Sequence, residues 1–164
     1  MDSRIAANRR LWNEWARINQ ESALYDMASF RAGQTSLKHI ELEEVGEVVG
    51  KSLLHLQCHF GQDTLSWARL GAQVTGVDFS PEAIARAEAL AQELGIEARF
   101  ICANVLDLKE LGDAQFDLVF TSYGAIHWLP DLDVWAREIA RHLKPDGRFH
   151  MVEFHPIISM LDDD

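Results

Sequence analysis

The residues with the most chemical content lie between Leu53 and Asp78. Leu53-Leu54-His55-Leu56-Gln57 reads as a short buried strand, and Cys58-His59-Phe60-Gly61-Gln62-Asp63 as the turn that follows it. Thr64 to Leu70 has the pattern of a helix, Gly71 stops it, and Gln73-Val74-Thr75-Gly76-Val77 forms a second strand closed by Asp78. A carboxylate in that place accepts hydrogen bonds from two hydroxyls of a ribose, while the turn after the first strand lets a ligand approach the backbone. The plainer role for Asp78 is a turn or helix cap ahead of Ser80-Pro81. Gly61 has two compatible roles, close approach of a ligand and the start of a helix. His55, Cys58 and His59 are near one another in sequence. They flank a strand end and no fourth ligand stands at suitable spacing, so no metal site is expected.

Other candidates leave later strands. Thr121, Ser122 and Tyr123 stand at the carboxyl end of a predicted fourth strand, where ligands of open α/β sheets sit. Ile126-His127-Trp128 continues that loop, and His127 is the candidate general base. Glu153 and His155 follow a fifth strand and are further candidates. Trp12 and Trp15 either touch a ligand or form the core of a lid helix.

The elements that position these residues follow from periodicity. Ile5, Leu11, Trp12, Trp15 and Ile18 recur at helical spacing. Ser36 to Val49 looks helical, with Gly50 as its stop. Both helices precede the first strand and are expected to cap the ligand face. Ser80 is a good N-cap, Pro81 suits the first helical position, and Ile84, Ala87, Ala91 and Leu94 make one apolar face ended by Gly95. Ala98 to Cys102 is the third strand, Asn104 to Leu111 a loop with a helical turn, and Phe116 to Phe120 the fourth strand. Asp131 caps a helix with Leu132, Trp135, Ile139 and Leu143 on its apolar face. Lys144-Pro145-Asp146-Gly147 is a turn by composition, and Arg148 to Phe154 is the fifth strand.

Strands alternating with helices predict an α/β fold, a doubly wound parallel sheet with helices on both faces. The chain has 164 residues. It is expected to form one domain overall, with residues 1–50 as lid helices and 51–164 as the ligand-binding core. Lys plus Arg is 15 against 26 Asp plus Glu, a formal charge of −11, which disfavours nucleic acid and anionic membranes as partners. No apolar run approaches the roughly 20 residues of a membrane span. The start of the chain lacks a signal-peptide core, and a cytoplasmic location is expected. Cys58 and Cys102 form no CxxC pair and are expected to be reduced, buried thiols. The apolar tail Pro156 to Leu161, followed by Asp162-Asp163-Asp164, is expected either to mark a fragment of a longer chain or to pack on another chain.

From its first strand to its fifth the chain resembles class I S-adenosylmethionine-dependent methyltransferases. In that family an acidic residue ends the first strand and a Gly-x-Gly-x-Gly turn follows. Here His55 stands where the acid is usual, and Gln57 and His59 where the first two glycines are usual; Gly61 matches the third. Asp78 matches the ribose-binding acid, Phe79 the neighbour that packs on adenine, and Asn104 with Val105 the position near the adenine amino group. Leu143-Lys144-Pro145-Asp146-Gly147 looks like the family's Leu-Lys-Pro-Gly-Gly turn, and Leu54 to Gly61 looks like the loop of a bacterial subgroup. The resemblance implies a Rossmann-like fold with five strands present and the family's C-terminal strand pair missing. It also implies S-adenosylmethionine as cofactor. By its own chemistry His55 either orients the cofactor's amino-acid part or is a satisfied core histidine, and the hydroxyls of Thr121, Ser122 and Tyr123 hold the methionine part or the substrate.

The expected activity is methyl transfer to a small-molecule acceptor by in-line displacement, which needs positioning more than covalent help. Two other classes stay open. One is a non-catalytic cofactor-binding or interaction module, motivated by the altered loop. The other is a nicotinamide-dependent oxidoreductase, which shares the ribose acid but lacks its Gly-x-Gly-x-x-Gly turn here. A homodimer formed through the exposed C-terminal edge is a further expectation.

Overall fold

A computed structural model describes residues 3–155 and Ile157. Helix α1 (Ser3–Glu21) is followed by the short α2 (Met27–Arg31) and α3 (His39–Val45). Then come β1 (Ser52–Leu56), α4 (Gln62–Arg69), β2 (Gln73–Asp78), α5 (Pro81–Leu94), β3 (Arg99–Cys102), β4 (Phe116–Ser122), α6 (Leu132–His142) and β5 (Leu143–Val152). The five strands form one parallel sheet in the order β3-β2-β1-β4-β5. The order reverses beside β1, which opens a crevice at the carboxyl ends of β1 and β4.

Period-two alternation explains why β1 is central. Leu54 and Leu56 enter a core with Val77, Val119, Trp135 and Ile139 on the α6 side. Leu53 faces the other way, into a core with Val74, Phe120 and Trp67 of α4. Leu37, Val45 and Val48 belong to that same core, so the segment before β1 is built into the sheet's packing.

Local chemistry sets the helix ends. The Ser80 hydroxyl accepts the N–H of Ala83 at 3.1 Å, Pro81 begins α5, and Gly95 ends it in the left-handed conformation. Asp131 caps α6 by accepting the N–H of Val134 at 2.9 Å.

The structure corrects three expectations about elements. α3 is shorter than 36–49: Gly46, at φ 71°, ends it, and Val48 then turns into the core. Lys144 to Gly147 is a bulge within β5 and not a free turn. Phe116 and Leu118 of β4 pair with Leu143 and Arg148, so the intervening residues loop out between two paired positions. Lys144 Nζ lies 2.8 Å from the Asp117 carboxylate, which also accepts the N–H and hydroxyl of Ser52. Cys58 is buried, but Cys102, at the end of the edge strand β3, is exposed. The expectation for the apolar tail falls mostly on residues outside the described ones. Among the described residues no helix is long and apolar enough to cross a membrane.

Candidate functional site

The carboxyl ends of the strands open into a cavity of about 630 Å³, within the usual range for a small-molecule site. Its floor is the loop after β1. Gln57, His59 and Gly61 have φ of 54°, 52° and 80°. The loop thus takes the left-handed conformation at every second residue, although two of the three carry side chains. Such a conformation costs roughly 1–3 kcal/mol per non-glycine residue and persists only where surrounding contacts enforce it. Asp26 and Tyr123, the other described non-glycine residues with positive φ, also line the cavity.

The contacts that hold the loop are identifiable. The N–H of His59 donates to Asp78 Oδ2 at 2.9 Å, and the N–H of Cys58 to the Val77 carbonyl at 3.0 Å. Gln57 Nε2 donates to the Ala125 carbonyl at 3.1 Å, across to the loop after β4. A Cβ on Gly61 would come within 2.7 Å of the Phe100 ring and 2.9 Å of Ala87 Cβ. Packing against α5 and β3 therefore demands a glycine there, whatever approaches from the cavity.

Asp78 is buried at the end of β2. Its Oδ1 accepts the Ser80 N–H at 2.9 Å. Burial pushes its pKa up to about 6, against the lowering effect of the Ser80, His59 and Phe79 N–H groups. Each carboxylate oxygen keeps a second lone-pair direction free to accept a hydroxyl. Phe79, Asn104 and Val105 line the wall beside it. The Asn104 carboxamide oxygen accepts the Leu106 N–H at 3.1 Å and leaves its NH₂ for other partners.

His55 is buried on the cavity wall, its Nδ1 2.7 Å from Thr64 Oγ1 and its Nε2 without a partner. Burial holds its pKa down near 3, and that of His59 near 4, so both rings are neutral at ordinary pH.

Several candidates stand elsewhere, and His155 and Trp15 are among those outside the cavity lining. Thr121 is fully buried off the cavity wall; its hydroxyl donates to the Leu56 carbonyl at 3.2 Å and reaches Gln57 Oε1 at 3.4 Å, joining β4 to the end of β1. His127 is exposed and outside the cavity lining, so it is not placed to act as a base there. Glu153 clamps the loop after β4, accepting the N–H groups of Gly124 and Ala125.

One wall residue escapes a reading by sequence spacing. Asp63, in the first turn of α4, accepts the hydroxyls of Ser36 at 2.6 Å and Ser122 at 3.0 Å. Tyr123 lies under the Lys38 ammonium, 4.3 Å from the ring centroid. Its hydroxyl pKa is raised by burial and then by the Glu41 and Asp63 carboxylates. The roof is aromatic: Trp12 of α1 meets His59, Trp15 and Trp128 edge-on, with centroids 5.3, 5.2 and 5.6 Å apart. Among the described wall residues the carboxylates are Asp26, Asp63 and Asp78, against one ammonium, Lys38. A flat nucleoside carrying positive charge fits such a wall: hydroxyl acceptors at β2, an apolar strip beside them, and excess negative charge.

Comparison with known proteins agrees. The methyltransferase domain family matches residues 54–151. The chain is 33% identical over 124 residues to an uncharacterised methyltransferase of Synechocystis sp., covering 75% of this chain and 56% of that one. It is also 33% identical over 119 residues to the ubiquinone biosynthesis O-methyltransferase of Xanthomonas euvesicatoria, covering 71% and 49%. The chain thus spans about half the length of these relatives. The YcgJ protein of Bacillus subtilis superposes with a TM-score of 0.62 at 29% identity, over 68% of this chain and 47% of that one. The complex of DhpI with SAH superposes with a TM-score of 0.73 over 96% of this chain and 72% of that one; at 21% identity that likeness speaks for the fold.

Proposed function

The chain belongs to the class I S-adenosylmethionine-dependent methyltransferases, and from that premise we propose that its cavity binds S-adenosylmethionine and directs its methyl group to a small-molecule acceptor. One observation carries the reading: a buried carboxylate, Asp78, closes β2 at the cavity floor and organises the loop after β1 through the His59 N–H. When bound, the cofactor supplies a methyl group on a positively charged sulfur, open to in-line displacement.

The protein's part is to hold and shield. Asp78 accepts the ribose hydroxyls, Phe79 and Val105 flank the adenine, and the Asn104 NH₂ meets its edge. Gln57, His59 and Gly61 shape the backbone beneath the sulfur. Trp12 and α1 cover the ligand and exclude water. Tyr25, Tyr123 and Phe154 place aromatic rings in the cavity lining. Such a lining suits an aromatic acceptor, as does the likeness to a relative named for ubiquinone biosynthesis.

Calorimetric titration with S-adenosylmethionine, S-adenosylhomocysteine and NADH tests the reading. Binding of the first two and not the third is expected. Binding of NADH alone, or of none, overturns it. Binding without methyl transfer to any of a panel of phenols and quinols makes the protein a cofactor-binding module.

A further inference from the structure

If Asp78, Phe79 and Asn104 hold the nucleoside, the other end of the cofactor lies toward β1 and β4, where Asp63 and His55 are. That end carries an amino acid, hence an ammonium group that needs an acceptor or a counter-ion.

Asp63 has the required chemistry. Its carboxylate lines the cavity and its contacts are two hydroxyls, Ser36 Oγ at 2.6 Å and Ser122 Oγ at 3.0 Å. No cationic group pairs with it among the described residues. Two hydroxyl donors leave acceptor directions free on both oxygens.

A second observation points to a ligand in the same place. His55 is 2% exposed, lines the cavity and leaves Nε2 unpartnered, and Nδ1 is tied to Thr64, next in the chain to Asp63. The tautomer that donates from Nδ1 to the Thr64 oxygen leaves a lone pair on Nε2, suited to an N–H donor. A neutral imidazole supplies no negative charge, so the charge has to come from elsewhere on the wall.

We propose that Asp63 is the counter-ion of the cofactor's ammonium group, beside the neutral ring of His55. This rests on the reading of the cavity as an S-adenosylmethionine site. The competing role for Asp63 is a brace that ties the segment before α3 to β4 through the two serines.

Calorimetry on the full chain separates these roles, using S-adenosylhomocysteine and 5′-methylthioadenosine. The second ligand keeps the nucleoside thioether and lacks the amino acid. Asp63→Asn is expected to weaken S-adenosylhomocysteine about tenfold, the scale of one charged hydrogen bond, and to leave methylthioadenosine unchanged. Asp63→Glu, which keeps the charge, is expected to bind S-adenosylhomocysteine better than Asp63→Asn does. An equal loss for both ligands, a loss for neither, or the reverse order of the two variants overturns the assignment of Asp63. A wild-type chain that binds neither nucleoside overturns the cofactor site itself, and this proposal with it.

Discussion

The backbone N–H of His59 donates to the carboxylate of Asp78 at 2.9 Å, so the acid that closes β2 also fixes the loop that follows β1. The second oxygen of Asp78 holds the Ser80 N–H at the start of α5. One side chain therefore joins the start of α5 to the floor of the cavity.

Removing that carboxylate leaves the buried Ser80 N–H and the half-buried His59 N–H without partners. Each orphaned group costs about 1–3 kcal/mol. Asp78→Ala is expected to lose roughly 2–4 kcal/mol of stability in urea unfolding and at least about tenfold in S-adenosylmethionine affinity by calorimetry. Unchanged affinity in a folded variant removes Asp78 from the site.

The same carboxylate gives opposite pH signatures with and without ligand. Burial raises its pKa from 3.8 to about 6. A raised pKa means that the folded state binds the proton more tightly than the unfolded one. Its contribution to stability is fully present below about 3.8 and is lost as pH rises through about 6, a span worth on the order of 3 kcal/mol. Acceptance of ribose hydroxyls favours the ionised form, so cofactor affinity is expected to fall as pH drops below about 6. Titration calorimetry across that range checks the step, and Asp78→Asn is expected to abolish it.

Gly61 tests the packing beneath the cavity. At φ 80°, with the Phe100 ring 2.7 Å from any added Cβ, Gly61→Ala combines backbone strain with overpacking. A loss of about 2–4 kcal/mol is expected from the two effects together. Phe100→Leu in the same chain is expected to recover part of it, as read by thermal unfolding.

His127 is the control. It is exposed and off the cavity wall, so His127→Ala is expected to leave cofactor affinity and kcat/KM for any acceptor unchanged. A large fall in kcat alone returns it to the reaction.

The parts of the fold set by local chemistry were open to reading. Leu53 to Leu56 alternates into two cores, Ser80-Pro81 and Asp131 start helices, and Gly95 stops one, because each rests on a side chain acting on its own backbone. The misreadings arose where distant partners decide. Val48 and Val49 continue a helical pattern, yet Val48 is drawn into the core under β1. Lys144 to Gly147 has the composition of a turn, yet β4 pairs on both sides of it. Thr121 and Ser122 are neighbours, but strand alternation sends the first inward to Leu56 and the second to Asp63. Asp63 gave no signal of its own, because its serine partners are 27 and 59 residues away.

The aromatic roof gives the molecule an optical report on its own occupancy. Of the five tryptophans, Trp12, Trp15 and Trp128 meet edge-on above His59, while Trp67 and Trp135 are buried in the two cores. A ligand on the loop after β1 lies beside Trp12 and Trp128, which line the cavity, and away from the two in the cores. Emission from the roof then follows filling, and emission from the cores follows unfolding, so one fluorescence trace separates binding from denaturation without an added label.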